Sequence, residues 1–136
     1  MIGLDTNALI RLLVADDAAQ AAAVRKRLTP LDSLAESVLL NNIVLVETLW
    51  TLRRVYQFER AAMLGLLGQL LSAKTFGFED RATVALATEH FAASQADFSD
   101  CLIAAQNARL GCDTTVTLDR GMSSLPKAEV LRSKKA

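Results

Sequence analysis

Short apolar runs that end in a polar residue alternate along this chain with longer segments of helical periodicity. The run Ile2–Leu4 ends at Asp5 and is typical of a buried strand, after which Thr6 can begin a helix. Further strands are predicted at 37–40, 74–78, 114–118 and 130–131, with helices at 16–28, 43–56, 61–71, 80–91 and 97–110. Strands that alternate with helices indicate an α/β fold with a mainly parallel sheet.

The composition is that of a folded chain with balanced charge. Of its 136 residues, 51% are hydrophobic and 22% are charged, which excludes disordered, fibrous and disulfide-rich classes. The fifteen basic and fifteen acidic side chains cancel. A strongly basic nucleic-acid binder is therefore not expected, although a local basic patch is compatible with this balance. The length predicts one domain over residues 1–132, followed by a short basic tail at 133–136.

The cysteines and the first residues of the chain indicate the cellular compartment of the protein. Cys101 and Cys112 are too few for a disulfide scaffold, and we expect both to pack as small buried hydrophobes. The first residues lack the basic and apolar segments of a signal peptide. No uncharged apolar run approaches the roughly 18 residues that a membrane-spanning helix needs. We expect a cytoplasmic protein with no membrane segment.

Four acidic residues come from separate segments that the predicted topology places at one edge of the sheet. Asp5 and Asp119 directly follow predicted strands, whereas Glu47 lies one turn into its helix and Asp100 lies in the first turn of its own helix. Because open α/β sheets bind ligands outside the carboxyl ends of their strands, we expect these carboxylates to share one pocket. A like-charged pair about 4 Å apart costs about 4 kcal/mol at an effective dielectric near 20, so such a cluster needs protons or a cation. Oxygen ligands alone favour Mg²⁺ or Mn²⁺.

These residues lie in motifs that resemble those of PIN-domain nucleases, and most closely the VapC toxins of bacterial toxin–antitoxin pairs. The motifs are Leu4-Asp5-Thr6-Asn7, Val46-Glu47, Asp97-Phe98-Ser99-Asp100-Cys101-Leu102-Ile103-Ala104-Ala105 and Thr115-Val116-Thr117-Leu118-Asp119-Arg120. They occur in the family's order over nearly the whole chain. The four family acids fall on Asp5, Glu47, Asp100 and Asp119. Leu118 stands where the last motif usually has Phe, a change that alters no chemistry.

The resemblance implies both a fold and a function. The fold would be a PIN-like three-layer sandwich, with a short, mainly parallel central sheet flanked by helices. The function would be Mg²⁺-dependent hydrolysis of RNA phosphodiester bonds, with Mn²⁺ as a substitute and with Asp5 and Asp100 as the main ligands. The resemblance further implies tRNA or rRNA as the substrate, a cognate antitoxin protein as inhibitor, and a homodimer.

Each acid also has a structural interpretation. Asp5 could cap the helix that begins at Thr6, Glu47 could lie on a solvated helix face, and Asp119 could begin a turn. Asp97 and Asp100 have the spacing of a helix N-cap and its N3 residue. We expect Asp97 to be the cap and Asp100 to bind the metal.

Other polar residues near the acids are expected to support them. Thr6, Asn7 and Thr117 are candidates for holding a carboxylate or a water in place. The arginines Arg11, Arg53 and Arg54 are candidate contacts to RNA phosphates, although solvated or ion-paired surface positions are equally compatible. Trp50 is expected to pack in the core. His90, the single histidine, lies mid-helix and far in sequence from every acid, so a histidine base is not expected.

Other classes of function give distinguishable expectations. A haloacid-dehalogenase-like phosphatase also begins with a strand that ends in Asp, but it needs a second Asp two residues later, where this chain has Asn7. A PIN-like fold that only binds would have no need of all four acids. A stand-alone RNA-processing nuclease would keep the acids and have no antitoxin.

Overall fold

The computed structural model describes residues 1–132 of the chain. The chain divides into two compact units, of which the first extends from Met1 to Arg81 and the second begins at Ala82. The single domain predicted over residues 1–132 stays a prediction. The basic tail predicted at 133–136 lies outside the described residues.

The first unit contains a three-stranded parallel sheet. Its strands are β1 (Ile2–Gly3), β2 (Val38–Leu40) and β3 (Phe76–Phe78), in the spatial order β1-β2-β3. Val38 pairs with Ile2 on one side and with Phe76 on the other. Each strand is shorter than the sequence predicts, because backbone pairing covers at most three residues per strand. The parallel order places the residues that follow β1 and β2 at the same edge of this sheet.

Four helices belong to the first unit: α1 (Thr6–Leu13), α2 (Ala18–Leu28), α3 (Asn42–Arg54) and α4 (Arg60–Ser72). Asp17 caps α2, and its carboxylate accepts a hydrogen bond from the Gln20 amide. The Asn41 side chain accepts from the Val44 amide at 2.9 Å and so caps α3. β2 thus ends at Leu40, and Asn41 and Asn42 begin the helix that carries Glu47.

The core of the first unit consists of aliphatic side chains from the sheet and the helices around it. Leu9 of α1, Leu40 of β2 and Leu45 and Leu52 of α3 are fully buried. Their spacing on α3 matches the helical periodicity that the sequence shows. This packing directs the opposite face of α3 toward solvent.

The second unit contains α5 (Arg81–Ala93, whose first residue closes the first unit), α6 (Phe98–Arg109) and a parallel pair of strands, β4 (Thr115–Thr117) and β5 (Ala128–Val130). Phe91 and Phe98 pack edge to face, with ring centroids 5.9 Å apart. Gly111, which follows the C-cap Leu110 of α6, has a φ of 98°, which favours glycine. The last strand begins earlier than predicted, because the Lys127 carbonyl already accepts from the Thr115 amide.

The α/β class with parallel strands is confirmed. The prediction that both cysteines are buried is half wrong: Cys101 is buried, but Cys112 is exposed in the turn after α6. Among residues 1–132, no helix combines the length and the apolar character that crossing a membrane requires.

A polar network on the surface of the first unit joins α1, the loop before α2 and the end of α3. The Arg11 guanidinium pairs with Asp16 at 3.0 Å and donates to Gln20 at 2.6 Å. The Tyr56 hydroxyl donates to Asp16 at 2.7 Å. This hydrogen bond from Tyr56, followed by the charge of Arg11, lowers the pKa of Asp16 below its ordinary value.

The Asp16 network predicts a specific loss of stability in acid. Ionised Asp16 stabilises the fold above its unfolded pKa, and this contribution disappears as pH falls through the lower folded pKa. We expect Tyr56→Phe to lower the melting temperature slightly at neutral pH, since exposed networks contribute little, and to match the wild type in strong acid. The measurement is thermal unfolding across a pH series. Glu59→Gln is the control, because the Glu59 side chain makes no cap hydrogen bond. A constant difference at every pH would contradict the prediction.

Candidate active site

Asp5 lies where β1 ends and α1 begins. Its backbone is extended, and its Oδ1 accepts a hydrogen bond from the Ala8 amide at 2.9 Å. Asp5 is thus the N-cap of α1, which is the structural role considered from the sequence. The residue is also exposed, and the cap bond occupies one oxygen of the carboxylate. The cap therefore orients a carboxylate whose second oxygen can take a ligand.

Glu47 is held beside this carboxylate by a contact between α1 and α3. The Thr6 hydroxyl donates to Glu47 Oε1 at 2.7 Å. On α3 the neighbours Val44, Leu45 and Thr48 are buried, whereas Glu47 is exposed on the other face. Thr6, expected from the sequence to support an acid, contacts one that is 41 positions away in the chain.

Asp5 and Glu47 line the same open cleft, which has a volume of about 560 Å³. Its walls are formed by Asp5, Thr6 and Asn7 on one side and by Val46, Glu47, Trp50 and Thr51 on the other. This volume lies within the range of about 300–1,000 Å³ that is usual for small-ligand sites. The first unit therefore presents two carboxylates, a hydroxyl and an amide around one concave surface.

Trp50 is not in the core, contrary to the expectation from the sequence. Its side chain is 61% exposed, although its neighbours Leu49 and Leu52 are buried. Helical periodicity alone allowed either position, because Trp50 lies at the border of the apolar face of α3. No sequence signal singled it out as a functional residue, but its spacing of three residues from Glu47 could have indicated a shared face.

In the second unit, Asp97 and Asp100 occupy the N-cap and N3 positions of α6. The N-cap position agrees with the prediction for Asp97, but its side chain makes no cap hydrogen bond. The extended backbone places Asp97 at the cap without turning its carboxylate onto the amides of the first turn. Asp97 is exposed and Asp100 is half-buried, so the two acids of this motif have different environments.

Asp119 follows β4 at the edge of the second sheet. Its Oδ1 accepts from the Gly121 amide at 2.8 Å, and its own amide donates to the Thr117 hydroxyl at 3.0 Å. A Cβ at position 121 would lie 3.1 Å from this Oδ1, so a larger residue there would have to displace the Asp119 carboxylate slightly. Thr117, expected to support Asp119, holds its backbone rather than its carboxylate.

Asp100 and Asp119 form an acidic cluster with Asp97. Burial is the largest cause of the raised pKa of Asp100, followed by the charges of Asp119 and Asp97 and a hydrogen bond to Asp119. A carboxylate that is both half-buried and next to like charges binds a proton or a cation more readily than an exposed, isolated carboxylate does. The fold thus concentrates negative charge at the start of α6.

This cluster predicts that Asp100→Asn raises the melting temperature of the metal-free protein. The folded state disfavours ionised Asp100, so its penalty is complete above the raised pKa and is relieved as pH falls through it. The gain should therefore be largest at neutral pH and should shrink in acid. The measurement is thermal unfolding in EDTA, with the exposed Asp113→Asn as the control. A lower melting temperature for Asp100→Asn would show that its charge stabilises the fold.

The three predicted arginines differ in what they contact. Arg11 is engaged by Asp16, Gln20 and Tyr56, which favours a structural role. Arg53 donates to the Phe58 carbonyl at 3.4 Å. The Arg54 guanidinium lies 6.0 Å from the centre of the Trp50 ring, next to the cleft. Arg54 is therefore best placed of the three to meet a substrate that enters the cleft.

The donor atoms fit a hard divalent cation. Asp5 and Glu47 in the first unit, and Asp100 and Asp119 in the second, supply carboxylate oxygens, which Mg²⁺ and Mn²⁺ prefer. Among residues 1–132, no three side chains of His, Cys, Asp or Glu are arranged as a formed metal site. The acids are thus placed as one pair in each unit.

Comparison with known proteins identifies the fold family. A family model described as PIN domain matches residues 2–128, which is nearly the whole chain. Comparison with curated proteins finds no match.

Proposed function

Because this chain belongs to the PIN domain family, whose members are generally nucleases, we propose that it is a divalent-metal-dependent endoribonuclease. The observation that carries the proposal is the cleft of the first unit, where Asp5 and Glu47 lie exposed and Thr6 holds Glu47. The acids of the second unit, Asp100 and Asp119, provide the other carboxylates that the family resemblance assigns to the metal.

The residues of the proposed site would have the following roles. The family resemblance assigns Mg²⁺ or Mn²⁺ to Asp5, Glu47, Asp100 and Asp119, with Asp5 and Asp100 as the main ligands. When bound, the ion would act as a Lewis acid toward the phosphoryl group that is hydrolysed. The α1 cap orients Asp5 and the Thr6 hydroxyl restricts Glu47, so both carboxylates are held at the cleft before a substrate binds. Asn7 supplies an amide at the same wall of the cleft.

The decisive experiment is to incubate the purified protein with total cellular RNA and Mg²⁺ or Mn²⁺ and to map the new ends. We expect a small number of defined cuts, which Glu47→Gln abolishes or strongly weakens. Release of inorganic phosphate without shortened RNA would indicate a phosphatase instead. Binding of RNA with no cut would indicate a binding module.

We further propose that the protein is the toxin of a toxin–antitoxin pair and acts as a homodimer on tRNA or rRNA. The resemblance of its four motifs to those of VapC toxins supports this assignment. The product of a short open reading frame beside the gene should block cleavage, and light scattering should give twice the chain mass. A native host with neither a neighbouring frame nor an inhibitor would favour a stand-alone RNA-processing nuclease. The cytoplasmic location expected from the sequence stays a prediction.

A further inference from the structure

The exposed indole of Trp50 forms part of the wall of the cleft that contains the acids. The ring is 61% exposed and lines the cleft together with Asp5 and Glu47. Burial of an indole is more favourable than burial of most apolar side chains, so Trp50 gives a ligand of this cleft a large aromatic surface to cover. Polar groups of Asp5, Thr6, Asn7, Glu47 and Thr51 border the apolar surface of the cleft, so a ligand that fits it combines an apolar face with hydrogen-bonding groups.

The order of side chains along α3 indicates what kind of ligand this is. Glu47, Trp50 and Arg54 are spaced by three and four residues, so they follow one another along a single face of the helix. The Arg54 guanidinium lies 6.0 Å from the Trp50 ring centre. From Glu47 to Arg54 the helix rises about 10 Å. One face thus presents a carboxylate, an aromatic surface and a cation in sequence.

This order of groups matches the chemistry of a single RNA strand. An indole face stacks on a nucleobase, a guanidinium pairs with a phosphate, and amide and hydroxyl groups can bond to base edges. Asn7 and Thr51 supply such groups in the same cleft. We propose that Trp50 stacks on an unpaired base next to the cleaved phosphodiester and that Arg54 contacts the following phosphate. This inference rests on the proposed function.

Trp50 is the single tryptophan of the sequence, so its fluorescence reports on this position alone. The binding probe is unlabelled oligoadenylate about 12 nucleotides long, within the usual site size of single-strand binders. It is titrated into Asp100→Asn with Mg²⁺, and a gel verifies that the RNA stays intact. We expect saturable quenching of the indole emission. An oligomer of the same length with abasic riboses should bind more weakly and leave the emission unchanged.

Kinetics on a substrate taken from a mapped cut site provide the second test. Trp50→Ala should lower kcat/KM roughly 5- to 150-fold, mainly through KM, which is the usual effect of losing one stacked base. Trp50→Phe should restore most of it, because phenylalanine keeps an aromatic face. Val55→Ala, an exposed apolar position on the same helix end, is the control and should match the wild type. On a substrate that is abasic at the stacked nucleotide, Trp50→Ala and the wild type should become equal.

The possible outcomes separate this proposal from the proposed nuclease function. Wild-type protein that cuts no RNA contradicts the function, whereas quenching by uncut oligoadenylate still supports stacking. RNA that binds, as shown by anisotropy of a labelled oligomer, without changing the Trp50 emission overturns the stacking. No RNA binding at all, or unchanged kinetics in Trp50→Ala, overturns it as well. Emission that changes with protein concentration alone would assign the indole to a contact between copies of the chain.

Discussion

Asp100→Asn should lower the rate of RNA cleavage by about 100-fold or more, since even residues that only orient a metal ligand contribute about 10- to 100-fold. The amide has nearly the size of the carboxylate but no negative charge, and it is a poor ligand for Mg²⁺. The pKa of Asp100 is raised, first by burial and then by the charges of Asp119 and Asp97. Ionised Asp100 therefore lowers the stability of the folded state. Such unfavourable charges are typical of functional sites.

Asp97→Asn is the matched control, because it changes the same atoms one turn earlier. Asp97 is exposed and makes no cap hydrogen bond, so we expect this variant to fold and to keep most of the activity. The measurement is the single-turnover cleavage rate of a mapped RNA site for both variants, with far-UV circular dichroism as the check of folding. An inactive Asp97→Asn with an active Asp100→Asn would place the family's third acid at Asp97. Two inactive variants would mean that both carboxylates serve the metal.

Removal of divalent metal should abolish cleavage. The candidate ligands are all carboxylates, so the bound ion would supply the positive charge that they lack at the reacting phosphate. Exhaustive dialysis against EDTA should stop the reaction, and Mn²⁺ or Mg²⁺ should restore it. Cleavage that survives complete chelation would contradict the metal-dependent mechanism.

Thermal unfolding gives a readout of metal binding that does not depend on activity. A ligand that binds the folded state stabilises it by mass action, so millimolar Mg²⁺ should raise the melting temperature of the wild type. The same addition should shift Asp100→Asn much less, whereas Asp97→Asn should respond like the wild type. Equal shifts in all three proteins would indicate binding elsewhere on the surface.

Much of the local structure could be predicted from the sequence. The caps at Asp17 and Asn41, the stop at Gly111 and the apolar face of α3 depend on residues within one or two turns of each other. Strand limits were less accurate, because a strand ends where its partner stops pairing. Phe76–Phe78 is limited to three residues by its register with β2, which no local pattern encodes.

The sequence by itself determined the α/β class, the order of helices and strands, and the placement of the acids after strands or at helix starts, because these follow from local periodicity, capping and turn chemistry. Only the tertiary structure decided which face of α3 meets solvent, and with it the exposure of Trp50. It also decided the contact of Thr6 with Glu47, across 41 positions. The absence of a cap bond at Asp97 depended likewise on the exact backbone approach to α6. Such features arise from packing between distant segments, whose free energies a local pattern does not contain.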